Sequence, residues 1–267
     1  MKKWLLSPIL IFLTFSINAQ DEWESYLVKK EKGLMAISAN LRYKYERPNY
    51  KHLLIVGTHT TKCLKNGYPN TDGLEDLYTF SDSIAKIVDG LTKNRLAGII
   101  TYQCAGFDIF YVKDSIDLRN KITEQINKNF DSSKTYLQLY EDKKWKYYYE
   151  SLYPNDDSYD FFINNDFLTD LVYNGDDLAA PRKVTHWFYF LRDKRRQKFI
   201  DKVSTLDFKI DSTSYIKKRS YPYELQISRK DSINPSSISK LTKMLSDFAQ
   251  LLYAEYDGWS ADLITKD

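Results

Sequence analysis

Residues 234–252, NPSSISKLTKMLSDFAQLL, decide the fold of the C-terminal third. Asn234 is a good helix cap, and Pro235 suits a first turn because its missing N–H would go unpaired there anyway. Ile238, Leu241, Leu245, Phe248 and Leu252 then recur at three- and four-residue spacing and make one apolar face. Working outward, Val184–Leu191 and Tyr223–Ile227 are β-rich runs, Phe208–Ile216 is a third, and Glu255–Leu263 can follow the helix as a last strand. Asp193 is placed to cap a helix whose apolar side is Phe199, Val203 and Leu206. The order over residues 182–263 is therefore βαββαβ. It predicts a ferredoxin-like unit, an antiparallel sheet with two helices on one face.

The first half repeats that order. His52–Thr60 (HLLIVGTHT) is its most buried-looking strand. A turn-rich stretch, NGYPNTDG at 66–73, leads to a helix marked by Leu77, Phe80, Ile84, Ile87 or Val88, and Leu91. Strands at Arg95–Tyr102 and Phe107–Val112, a helix through Ile122, Ile126 and Phe130, and a strand at Tyr136–Tyr140 complete it. Two further strands, Glu22–Lys29 and Gly33–Tyr45, precede it as a hairpin. The fold class expected is α+β: two tandem ferredoxin-like units, the first (21–150) with an added N-terminal hairpin, the second at 181–267. Residues 151–180 read as the linker, because PNDDSYD (154–160) is polar and acidic, although Phe161–Tyr173 can form a helix.

The N-terminus, MKKWLLSPILIFLTFSINAQ, has a basic start at Lys2 and Lys3, a short apolar stretch and a small residue at Ala19. That is the layout of a secretory signal peptide over residues 1–20. A membrane span needs about 20 apolar residues, and this run is shorter and contains Pro8. No cysteine follows it, so nothing points to a lipoprotein, and no later segment is apolar enough to span. The expected location is the periplasm or the exterior. The whole chain carries 39 Lys and Arg against 36 Asp and Glu. Cleavage removes two lysines and no acid, leaving 37 against 36 and a net charge of +1. Such a chain lacks the positive field that nucleic-acid binding needs. In an oxidising compartment the cysteine pair, Cys63 and Cys104, predicts a disulfide at one end of the first sheet. Zinc is the rival reading: His59 stands four residues before Cys63, but further ligands at motif spacing are missing.

Motifs for chemistry are sparse. His52 and His59 bracket one strand, roughly 23 Å apart along it, and point to opposite faces. His186 alternates with Phe188 and Phe190, the pattern of a hydrogen-bonded core histidine. Ser237 and Lys240 spell S-x-x-K at a helix start, without the companion motifs that this nucleophile needs, and serine is common at helix N-termini anyway. The acid pairs Glu75–Asp76 and Asp176–Asp177, and the stripe of Lys194, Lys198 and Lys202, read as solvated surface. No cofactor or metal is expected.

Two resemblances add to this. Val184, His186, Tyr189 and Phe190, with the run Tyr256-Asp257-Gly258-Trp259 after a long helix, resemble the family of the regulator of ribonuclease E inhibitor B over residues 181–267. Trp23, the Gly67-Tyr68-Pro69 turn and the strand pair around Ile99–Tyr111 resemble the uncharacterised domain of unknown function 695 over 22 to about 150. The first resemblance implies a non-catalytic protein that binds and tunes an enzyme. Ribonuclease E is cytoplasmic and this chain reads as exported, so the fold carries over and the partner does not.

The leading functional expectation is an exported, non-catalytic binding or modulator protein with an unknown protein partner. An exported enzyme, possibly a hydrolase, and a glycan-binding protein are the alternatives. The partner face follows from alternation in Val184–Leu191. Val184, His186, Phe188 and Phe190 share one side, and Thr185, Trp187, Tyr189 and Leu191 the other. Phe188 and Phe190 carry no polar atom, so their side should meet the helices. Trp187 and Tyr189 should then lie on the open sheet face, with Glu224 and Gln226 beside them on the facing strand.

Overall fold

The computed structural model describes residues 22–130 and 134–265; the expected signal segment lies outside them. The N-terminal elements are β1 (Trp23–Lys30), β2 (Gly33–Asn40), β3 (His52–His59), α1 (Thr71–Leu91), β4 (Asn94–Tyr102), β5 (Ala105–Val112), α2 (Leu118–Asn129) and β6 (Thr135–Glu141). The helix α3 (Tyr159–Tyr173) follows. The C-terminal elements are β7 (Arg182–Phe190), α4 (Asp193–Ser204), β8 (Lys209–Tyr215), β9 (Tyr223–Asp231), α5 (Pro235–Leu251) and β10 (Ala254–Ala261).

The strand order of the second sheet is β10-β7-β9-β8, with every pair antiparallel. Numbered from its first strand this is 4-1-3-2, the ferredoxin-like order. The first sheet runs β1-β2-β4-β5-β3-β6, also fully antiparallel. From β3 onward it shows the same order, with the β1–β2 hairpin added beside β4. Both expected units and the added hairpin are therefore present.

The first sheet is buried on both faces, which explains the unbroken apolar run in β3. Leu54, Val56, Phe110 and Val112 meet Phe80, Ile84 and Val88 of α1 and Ile122 and Ile126 of α2. On the other face Leu53, Ile55, Ile109 and Tyr111 meet Tyr43, Trp145, Tyr148 and Leu152. Trp145 stacks on Tyr111 with ring centroids 3.7 Å apart, and its Nε1 donates to the Tyr50 carbonyl. One π-helical turn, Tyr148–Leu152, thus closes the face that the helices leave open.

Several expected boundaries move. The second strand stops at Asn40, not Tyr45, because the Asn40 side chain accepts the Arg42 N–H and starts a 3-10 turn at Leu41–Lys44. α1 begins inside the turn-rich stretch, where Asn70 caps it through the Gly73 N–H. Gly73 is required there: a Cβ would lie 2.2 Å from the Lys62 carbonyl oxygen. Asp193 is the first residue of α4 rather than its cap, and it pairs with Arg196 at 2.6 Å.

The segment read as a linker, 151–180, holds α3, capped by Ser158. Composition misleads here because the polar residues are the cap and first turn, while Leu168, Leu171 and Val172 enter the C-terminal core. Asn165, fully buried, accepts the Leu27 N–H of edge strand β1 at 2.9 Å. Asn164 donates to Thr242 of α5 at 2.9 Å. Asp176 is not solvated either: it is 1% exposed and forms a two-pronged pair with Arg182 at 2.6 and 2.9 Å. It also accepts the Ile264 N–H, so the tail, the joint and β7 share one buried charge pair.

Candidate functional site

Two surfaces of the C-terminal unit have binding geometry. The first is the sheet face turned away from the helices. Phe188 and Phe190 pack on Phe199 of α4, at 4.4 and 5.4 Å between rings, so the alternation of β7 puts Trp187 and Tyr189 on the opposite face. Trp187 pairs in register with Gln226, and Tyr189 with Glu224. The four expected residues therefore form two adjacent cross-strand pairs. Trp187, Glu224 and Gln226 are half-buried, whereas Tyr189 is only 7% exposed. Its cover is Arg219, whose guanidinium lies 3.2 Å from the Tyr189 ring centroid and reaches toward Glu255 at 3.5 Å and Asp257 at 3.8 Å. Such a stack contributes roughly 0.5–2 kcal/mol. The Tyr189 hydroxyl donates to Glu224, which also accepts from Ser214. Sequence alternation located this face. It did not find Arg219, because that residue comes from the turn between β8 and β9 and its reach depends on the fold.

The second surface is a cleft of about 670 Å³ between α3, α5 and β10. Tyr159, Asp160 and Phe167 line it from α3, Ser246 and Gln250 from α5, and the run Tyr256–Trp259 from β10. That run carries a β-bulge, with the register shifting between Tyr256 and Trp259. Gly258 makes it possible at φ +97°, in the left-handed region that other residues avoid. Trp259 packs edge-on against Phe167 at 4.8 Å and donates Nε1–H to Asn164 at 2.7 Å. The motif was visible in the sequence, but its cleft was not, because the facing wall belongs to α3.

The remaining sequence candidates separate. His186 is fully buried, its Nδ1 2.9 Å from the Tyr256 hydroxyl. Burial, with Arg229 nearby, pushes its pKa down to about 3, so it is neutral. His52 and His59 sit at opposite ends of β3. The Ser237 hydroxyl donates to the Asn234 side chain, which is a capping role. Lys194, Lys198 and Lys202 are exposed on α4. Cys63 and Cys104 form the expected disulfide, Cα atoms 6.1 Å apart. Asp108, which the sequence did not single out, is buried between β5 and α1. It accepts from the Ser81 hydroxyl at 2.6 Å, and burial pushes its pKa up to about 6. Among the described residues no group of three or more His, Cys, Asp or Glu is placed to hold a metal, and no helix is long and apolar enough to cross a membrane.

No curated protein matches the chain. Among solved structures, an unknown protein from Galdieria sulphuraria is 9% identical, with a TM-score of 0.22, covering 80% of this chain and 99% of its own. A putative glycine cleavage system transcriptional repressor is 10% identical, with a TM-score of 0.23, covering 82% of this chain and 100% of its own. Two families match. "Family of unknown function (DUF695)" covers residues 21–153, and "Regulator of ribonuclease activity B" covers residues 163–261, including most of α3. The chain is thus similar to one family in its N-terminal half and to the other in its C-terminal part, the split that its motifs indicated.

Proposed function

We propose that this protein is an exported, non-catalytic modulator that binds a protein partner through the open face of its C-terminal sheet. The observation that carries this is a difference between the two units. The first fills its helix-free sheet face with its own Trp145, Tyr148 and Leu152. The second has Trp187, Tyr189, Glu224 and Gln226 on the corresponding face, with Arg219 stacked over Tyr189. An aromatic pair rimmed by polar groups and an arginine has the composition of an interface core. The match of residues 163–261 to a regulator of ribonuclease activity supports a modulator, by analogy of family. Export rests on the N-terminal pattern and accords with a disulfide, which persists in oxidising compartments.

The test is a pair of substitutions. Trp187→Ala should lower the melting temperature by a few degrees while leaving the fold intact, and abolish partner binding. Arg219→Ala should weaken binding and expose Tyr189. Folded variants that bind every partner as the wild type does would rule the face out. For export, intact-mass analysis of the periplasmic fraction should show loss of about 19 or 20 residues; a full-length cytoplasmic product would contradict it.

A second reading, glycan binding, has one observation in its favour. Tyr136 and Tyr140 are 42% and 43% exposed along edge strand β6, and Tyr136 lies against Phe107 at 5.7 Å. Aromatic faces of this kind suit sugar rings. Tyr136→Ala with Tyr140→Ala should abolish any glycan retention; unchanged retention rejects this reading.

A further inference from the structure

The cleft above does not end at its aromatic wall. Between α3 and α5 it continues into a second space of about 210 Å³, and the two share Asp160, Asn164, Thr242, Ser246 and Gln250. Together they form one groove along the helix pair. Its charges are one-sided. Asp160 and Asp257 line the larger part, and Asp156 and Asp247 the smaller. The one lysine on the lining, Lys243, is already held by Asp247 at 3.3 Å. Asp257 is shared loosely with Arg219 at 3.8 Å. The wide end presents aromatic rings: Trp259, fixed by its bond to Asn164, with Phe167 against it and Tyr159 at the rim. At the narrow end the Ser239 hydroxyl is buried without a hydrogen-bond partner.

We propose that this groove seats a basic, extended segment of a protein partner. An arginine or lysine side chain lies against Trp259 and Tyr159 with Asp160 beside it, and further basic residues follow toward Asp156 at the narrow end. Ring faces attract cations, and several exposed carboxylates along one groove add a long-range, salt-sensitive attraction for a segment carrying several positive charges. Two joined spaces of about 670 and 210 Å³ hold more than one small cation, which favours a chain segment over a free amine. This surface lies on the helical side of the unit and meets the open sheet face only where Arg219, stacked on Tyr189, reaches Asp257, so variants that leave Arg219 and Asp257 alone test it separately.

Titration calorimetry on the full protein tests the proposal with three probes: a short peptide alternating Arg and Gly, its Glu–Gly counterpart, and L-arginine amide. The Arg–Gly peptide should bind at low salt and weaken as salt rises. Asp160→Asn combined with Asp156→Asn should weaken it about tenfold or more. Ser246→Arg, which puts a like charge in the groove, should abolish it. The control Asp193→Asn with Asp201→Asn on α4 should change nothing. Circular dichroism establishes that each variant folds. Equal binding of the Glu–Gly peptide, unchanged binding by both groove variants, or equal weakening by the α4 control would overturn the proposal. Arginine amide binding as tightly as the peptide would overturn it too, in favour of a small-cation pocket.

Discussion

Asp108 and His186 are the two buried titratable side chains whose environments move them furthest into testable ranges, and they act in opposite directions. Asp108 has its pKa raised from 3.8 to about 6, by burial first. Below about pH 4 it is protonated folded and unfolded, and costs nothing. As pH rises from about 4 to 6 the unfolded chain releases the proton while the native state keeps it, so stability falls. Above that window the loss is complete, on the order of 2–3 kcal/mol. Asp108→Asn should therefore raise the melting temperature at pH 7.5, and its advantage should shrink toward pH 4; an advantage independent of pH would contradict this. His186 has its pKa lowered to about 3, so its contribution is intact above the ordinary histidine pKa and is lost as pH falls toward 3. Its ring resonances should show no titration between pH 8 and 4. The sequence placed His186 correctly, because alternation with Phe188 and Phe190 decides its face. It was silent on Asp108, since Phe107–Val112 carries one acid among apolar residues and nothing in that run says which side is covered.

At the scale of elements, the joint between the units is where sequence and structure part. The elements of the two units were legible, most of them from an apolar face and the mostly polar β8 and β10 from their place between or after stronger elements. α3 was legible as a helix but not as a structural member, because the polar run before it resembles a linker and two of its key contacts are made by polar residues beside the apolar Leu168, Leu171 and Val172. Asn165 satisfies an edge-strand N–H that would otherwise be buried unpaired, and Asn164 links α5 and β10. Asn165→Ala should cost about 1–3 kcal/mol, read as a shift in urea midpoint. A change within error would mean that β1 finds another partner. Asp176 was misread for a related reason: its partner Arg182 is near in sequence, but only the fold of the tail buries the pair. Asp176→Ala leaves a buried guanidinium uncompensated and should cost roughly 3–5 kcal/mol by the same readout. The disulfide spans 41 residues, and reducing it should cost about 4 kcal/mol in the chain-entropy model. A reduced protein of unchanged stability would show that the loop is already ordered when unfolded.

At the scale of the molecule, one architecture is used twice and finished differently. The first unit covers both faces of its sheet and supplies β1 to dock α3. The second covers one face with helices and leaves Trp187 and its neighbours on the other. Of the expected aromatic pair, Trp187 is half-buried and Tyr189 lies under Arg219. This asymmetry is the basis of the binding account, and a photo-crosslinking residue tests it most directly. Placed at position 187 as an aromatic photoreactive residue, which keeps a ring where the indole stood, it should yield a discrete adduct with a partner on irradiation in the native compartment. Placed at position 121, on the exposed side of α2, it should yield none. An adduct at 187 that Arg219→Ala diminishes supports a partner on the open face. No adduct at 187, or the same adducts from both positions, would contradict the account.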